Sequence, residues 1–355
     1  MKILIFGGTG AMGTHLVKIL TSPDNELYVT SRSERKTAGV TYIKGNAHEY
    51  DFVNETVHKY GRFNCIVDFM NYKTEEFQKN IDFLLSSTDQ YVYLSSARVF
   101  SDIDSIIVEN SPRLLDVTTD KDYLRTDEYA LAKARQENIL MSSAKRNWTI
   151  IRPYITYSEA RLQLGIYEKE QWLSRAIRNK KIVFSYDIAS HYTTLTYGLD
   201  VSTMISKIIG CKHSLGEAYN IAGNFTIKWS DVVDIYTTEL EKYLKHKPVV
   251  CYTETAVASD FQKYQYKYDR LYDRKFDCKK ILQVTGISEF TTLQEGIESC
   301  IREFFEKDVR CKKLSWKYEA MMDRAACEHE ALHNIPGLKN KVIYMVYRYL
   351  PIKKF

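Results

Sequence analysis

Apolar positions follow two rhythms along the first 150 residues of this chain. Short unbroken runs fall at Ile3-Leu-Ile-Phe6, at residues 26–30, 39–44, 64–70 and 90–95, and at Trp148-Thr-Ile-Ile-Arg-Pro153. Runs of this length, rich in β-branched and aromatic residues, predict strands buried on both faces. Between them the spacing turns helical: Leu16, Val17 and Leu20, then Phe52, Val53 and Val57, then Phe77, Ile81, Leu84 and Leu85. A further helix is predicted over 126–140, with Thr126 as its cap. Strands alternating with helices imply right-handed crossovers and a parallel, doubly wound sheet. Ligands of such sheets bind at the carboxyl ends of the strands, where the strand order reverses. The residues at those ends are 7–13, 31–32, 45–46, 70–71 and 95–96. Beyond residue 154 the alternation loosens. Helices are expected over 172–177, 198–209, 229–244 and 292–305, and strands over 182–185 and 193–197.

The first run passes directly into Gly7-Gly-Thr-Gly-Ala-Met-Gly13 and then into a helix. Gly7, Gly10 and Gly13 let the backbone turn sharply and let a pyrophosphate approach. The free N–H groups of Thr9, Ala11 and Met12, with the positive end of the helix, then face its phosphates. Three glycines alone also suit a plain tight turn. Between a buried strand and a helix they read as the anion site of a Rossmann-type fold.

Charge and composition narrow the classes. The 355 residues carry a net charge of +5 with both signs interspersed, which argues against a strongly basic nucleic-acid binder. No run approaches the ~18 apolar residues of a spanning helix, and no signal peptide is evident. The seven cysteines are scattered singly, as reduced thiols in a cytoplasmic protein are. Cys327, His329 and His333 lie close in sequence but lack a fourth ligand, so no metal site is expected. The terminal stretch, 342–350 with Arg348, Lys353 and Lys354 nearby, suits either a membrane surface or packing onto the substrate lobe or a second subunit, and packing is the expectation.

Tyr129 and Lys133 lie four apart, on one face of a predicted helix. A free phenol titrates near ~10, and a neighbouring ammonium favours the phenolate. Such a pair can pass a proton during carbonyl–alcohol interconversion. Ser96, at the tip of the fifth strand, is placed to hydrogen-bond the reacting oxygen. The pair alone equally suits a solvated helix face. The glycine loop and the serine, in this order, favour the chemical reading.

Four motifs then carry a resemblance: the glycine loop, Leu94-Ser-Ser-Ala-Arg-Val-Phe100, Tyr129-Ala-Leu-Ala-Lys133 and Arg152-Pro153. Over about residues 1–308 the chain resembles an extended short-chain dehydrogenase/reductase of the nucleotide-sugar epimerase, dehydratase and reductase kind. The resemblance implies Ser96, Tyr129 and Lys133 as the catalytic set. Lys133 would also hold the nicotinamide ribose, and Pro153 would lie near the nicotinamide. Met70 and Asn71 would flank the cofactor, and Asn46 stands where an aspartate usually faces the adenine. The organisation expected is a dinucleotide-binding Rossmann domain over 1–155, with a return to it around 182–212. A smaller C-terminal α/β substrate lobe would occupy 156–310, and 311–355 an extension. Dehydratases of this kind carry an Asp-Glu pair where Ala97 and Arg98 stand here. An arginine that clamps the substrate diphosphate is replaced by Thr193 and Thr194, with Arg161, Arg175 and His191 as substitutes.

The acid that would accept bonds from an adenosine 2′-hydroxyl is absent from the tip of the second strand. Ser31 and Arg32 stand there and suit a 2′-phosphate, which favours NADP over NAD. The expected function is hydride transfer at a sugar carbinol by a reductase or epimerase. The partners implied are a nucleotide-activated sugar and a second copy in a homodimer. The alternative is a non-catalytic NAD(P)-binding or RNA-binding relative.

Overall fold

A computed structural model describes residues 1–223, 225–307, 311 and 314–350; Lys353 and Lys354 lie outside them. The chain divides into two compact units, 1–158 with 194–226 and 274–293, and 159–193 with 227–273 and 294–355.

The first unit is built on a seven-stranded sheet. Its strands are β1 (Lys2–Phe6), β2 (Glu26–Ser31), β3 (Val40–Lys44), β4 (Phe63–Asp68), β5 (Thr88–Leu94), β6 (Trp148–Pro153) and β7 (Glu217–Ile221). They run parallel in the order β7-β6-β5-β4-β1-β2-β3. The order reverses at β1, where Ile3 pairs with Leu27 on one side and Cys65 on the other. Ile3, Leu4, Ile5 and Phe6 are all buried, because β1 is covered on both faces. The helices are α1 (Gly13–Leu20), α2 (Tyr50–Tyr60), α3 (Thr74–Ser86), α4 (Tyr129–Ser142) and α5 (Gly198–Ile208). One core layer joins Leu4 and Phe6 of β1 to Val53 and Val57 of α2, Phe77 and Ile81 of α3, and Leu140 of α4.

One expectation is corrected here, and one strand is new. Thr126 does not cap α4: the helix begins three residues later, and the Glu128 carboxylate accepts the Ala130 N–H at 2.9 Å. Thr126 instead donates to the Tyr123 carbonyl at 2.7 Å, closing the turn before the helix. The seventh strand was not anticipated, because Glu217-Ala-Tyr-Asn-Ile221 mixes polar and apolar residues; it pairs with β6 from Thr149 to Pro153.

The second unit contains a parallel pair of short strands, Ile182–Ser185 and Val250–Thr253. Around them are α6 (Trp229–Leu244), α7 (Leu293–Glu306), α8 (Trp316–Ala325) and α9 (Leu338–Tyr349). Residues 314–350 fold into this unit rather than trailing from it. The α8 and α9 helices share a small core of Trp316, Ala320, Ile335 and Tyr344, and the Tyr344 hydroxyl donates to Asp323 at 2.6 Å. Among the described residues no helix is long and apolar enough to cross a membrane, and no group of three His, Cys, Asp or Glu is placed to hold a metal ion.

The glycine loop sets a steric limit. A Cβ on Gly13 would lie 2.6 Å from the Gly8 Cα, whereas one on Gly10 would meet nothing closer than the Gly7 oxygen at 3.9 Å. Gly13→Ala should therefore cost about 1–3 kcal/mol through overpacking. Gly10→Ala should stay within about 0.5 kcal/mol of the parent. Urea denaturation of the three proteins measures both.

Candidate functional site

The carboxyl ends of β1, β2, β3 and β4 form a hollow of about 190 Å³. Gly7, Thr9, Ser31, Arg32, Asn46 and Met70 of the expected cofactor set line it, and His48 does so too. Gly7 adopts φ +70°, a conformation that favours glycine, and a Cβ there would lie 3.2 Å from the Met70 sulfur. The Gly7 N–H is directed at the Thr30 hydroxyl, 3.4 Å away. Gly10, Ala11, Met12 and Gly13 do not line the hollow. Their loop is braced by α5: Ser202 donates to the Met12 carbonyl at 2.7 Å, and a Cβ on Gly198 would lie 3.1 Å from the Ala11 oxygen.

Of the pair expected to choose between cofactors, Ser31 is buried. Its hydroxyl donates to the Ser33 carbonyl at 2.8 Å and accepts the Ser33 N–H at 3.3 Å. Arg32 is exposed. The Asn46 amide donates to Glu49 at 3.2 Å, and its oxygen accepts the His48 N–H at 3.3 Å. No carboxylate lines the hollow.

The other candidates gather at α4. Tyr129 is its first residue, and Lys133 follows one turn later, buried. The Lys133 ammonium donates to the Leu94 carbonyl at the end of β5, at 2.7 Å, and to the Met70 carbonyl just beyond β4, at 3.1 Å. It also lies 4.6 Å from the centre of the Tyr93 ring. Burial pushes this amine down to about 8, against the opposing pull of the Asp68 and Glu137 carboxylates. Asp68 is held by the Tyr91 hydroxyl at 2.6 Å, the Tyr72 hydroxyl at 3.0 Å and the Met70 N–H at 2.9 Å. Burial nonetheless raises its carboxyl above the usual range.

Ser96 is buried two residues past the end of β5, and its hydroxyl accepts the Arg98 N–H at 3.2 Å. Arg98 was noted in the sequence only as a departure from the dehydratase pattern. Here its guanidinium lies 5.1 Å from the centre of the Tyr129 ring and pairs with Glu128 at 2.8 Å. The residue that caps α4 thus also anchors the cation over its first side chain. Pro153 is buried at the end of β6, opposite Ile221. Asn71 is exposed.

The proposed substitutes for a diphosphate clamp are otherwise engaged. Arg175 is fully buried and meets Glu319, Asp323 and Glu328 at 3.2, 2.9 and 2.8 Å. Three carboxylates leave it no face for a phosphate, so its role is structural. Arg161 pairs with Glu168 at 3.0 Å and His191 with Asp273 at 3.1 Å.

No protein-family model matches the chain, and no curated protein does at a significant level. Solved structures do. A dTDP-glucose 4,6-dehydratase of Bacillus anthracis, in complex with NAD, is 16% identical over 87% of this chain and 97% of its own, with a TM-score of 0.66. A UDP-glucuronic acid 4-epimerase of Bacillus cereus, in complex with UDP-glucuronic acid and NAD, is 14% identical over 86% and 100%, also with a TM-score of 0.66. The Bordetella bronchiseptica enzyme WbmH, in complex with NAD+, is 14% identical over 87% and 99%, with a TM-score of 0.67. The chain therefore has the fold of the extended short-chain dehydrogenase/reductases, the family that its motifs resemble.

Proposed function

We propose that the protein is a nicotinamide-dependent oxidoreductase acting at a carbinol or ketone of a nucleotide-activated sugar, as a reductase or epimerase. One observation carries the reading. The buried Lys133 ammonium, one helical turn from Tyr129, is held on the carbonyls of Met70 and Leu94, and Leu94 ends the strand that Ser96 follows by two residues. A solvated helix face needs no buried lysine.

The residues present fit a dinucleotide. At Gly10 the glycine loop leaves open space, the nearest atom to a Cβ there being the Gly7 oxygen at 3.9 Å, and the hollow beside the loop is lined by hydroxyl, amide and cationic groups. When bound, the nicotinamide gives or takes a hydride. Tyr129 passes the proton to or from the sugar oxygen through its hydroxyl, and Ser96 orients that oxygen. Lys133 would hold the ribose, and it keeps positive charge one helical turn from Tyr129. The place of a dehydratase acid pair is taken by Ala97 and Arg98. A guanidinium stays protonated and gives no proton to a leaving hydroxyl, which favours redox chemistry without elimination. The solved relatives named for UDP-glucuronic acid and dTDP-glucose support a sugar nucleotide as substrate.

Cofactor preference is assigned to NADP(H). With Ser31 bonded to its own turn, Arg32 is the group that would read a 2′-phosphate, and no carboxylate lines the hollow to repel one.

Two experiments test these assignments. Tyr129→Phe should lower turnover by about 10²–10⁴ while cofactor affinity changes by no more than a few-fold. Near-normal turnover in that variant would refute the assignment. Arg32→Ala should weaken NADPH binding about ten- to a hundredfold and leave NADH binding nearly unchanged, as followed by cofactor fluorescence. Equal losses for both cofactors, or a parent protein that prefers NADH, would remove the 2′-phosphate role.

A further inference from the structure

We propose that α9 docks the protein on an anionic membrane surface. The helix has two apolar faces, and only one is covered. Tyr344 is buried against α8, and Tyr347 packs beside it. The other face holds Leu338, Val342, Met345 and Tyr349, which are 77%, 54%, 42% and 54% exposed. At 3.6 residues per turn these four fall within a sector of about 60°. Leu350, the first residue past the helix, is exposed too.

Charge says what covers this face. Residues 331–355 contain five Lys or Arg and no Asp or Glu, so the preceding 330 residues, with 45 of each sign, are neutral and the whole net charge of +5 sits in this segment. On the helical wheel Lys339 falls on one side of the apolar stripe, and Lys341 and Arg348 on the other. Three acids of the chain packed against α9 are engaged elsewhere. Asp323, Glu328 and Glu330 turn inward onto Arg175, Lys180 and Arg178. An apolar stripe with aromatic content, bordered by cations and without carboxylates, is the pattern of a helix lying in the interface of anionic lipid. A second copy of this chain would set these cations against like charges across a symmetric contact.

The test uses the full chain and vesicles of phosphatidylcholine alone or mixed with phosphatidylglycerol. The protein should sediment with the mixed vesicles and stay in solution with phosphatidylcholine, and raising the salt should release it. Lys339→Gln and Lys341→Gln should each weaken binding about fivefold. Val342→Ser with Met345→Ser should weaken it further while leaving the melting temperature and cofactor binding unchanged, since both side chains are exposed. Equal sedimentation with both vesicle types, or with neither, would overturn the proposal. So would a parent dimer that the serine variant converts to a monomer, because a second copy would then cover the face.

Discussion

The contact on which the first unit depends is a polar seam between α4 and the sheet. Lys133, Gln136 and Glu137 are each at most 2% exposed and point inward from one helix face. Buried polar groups on this scale hold a structure only when each is satisfied. Here each is. Lys133 takes two strand-end carbonyls. Gln136 receives the Tyr93 hydroxyl and donates to the Tyr72 carbonyl. Glu137 accepts from Arg152, Ser95 and Arg113, with two parallel bonds from Arg152 at 2.7 and 2.8 Å. Removing one partner of such a pair leaves an uncompensated charge, typically a loss of about 3–5 kcal/mol. The seam therefore fixes the rotation of α4 more tightly than an apolar contact would, and Tyr129 inherits that precision.

The same burial gives Lys133 its proton behaviour. Folded, it releases its proton near pH 8; its ordinary value is 10.5. Between those limits the unfolded chain binds the extra proton, so the contribution of this amine to stability rises with pH across that window. At pH 7 the ammonium is retained at a cost in stability. A group kept charged under burial by two carbonyls and by the pull of Asp68 and Glu137 is what a proton-passing phenol nearby would need.

Much of this was readable in the sequence, for definable reasons. Strands β1, β2 and β4–β6 are short runs with little polar alternation because both sheet faces are covered, and their edges fell within two residues. The glycine loop and the Tyr129–Lys133 spacing are local patterns with a single geometric meaning once the fold is given. What escaped depended on contacts distant in sequence. Strand β7 is polar at Asn220 and is ordered by β6, about seventy residues earlier. Arg175 reads as a free cation until Glu319, Asp323 and Glu328 arrive from beyond residue 310. Ser31 is the local exception: it reads as an open hydroxyl until its own turn closes on Ser33.

Arg98 joins these levels. In the sequence it is only the absence of an acid. In the fold its backbone N–H restrains the Ser96 hydroxyl, its guanidinium covers the Tyr129 ring, and Glu128 fixes it while capping the helix on which Tyr129 sits. A cap normally serves the helix alone, by meeting an orphan N–H. Here the capping carboxylate has two oxygens and uses them differently: one accepts the helix N–H and the Tyr123 hydroxyl, the other the guanidinium. Replacing Arg98 with a carboxylate would place like charges against Glu128 at the helix start. The identity of residue 98 is thus tied, through Glu128, to the way the helix that carries Tyr129 begins.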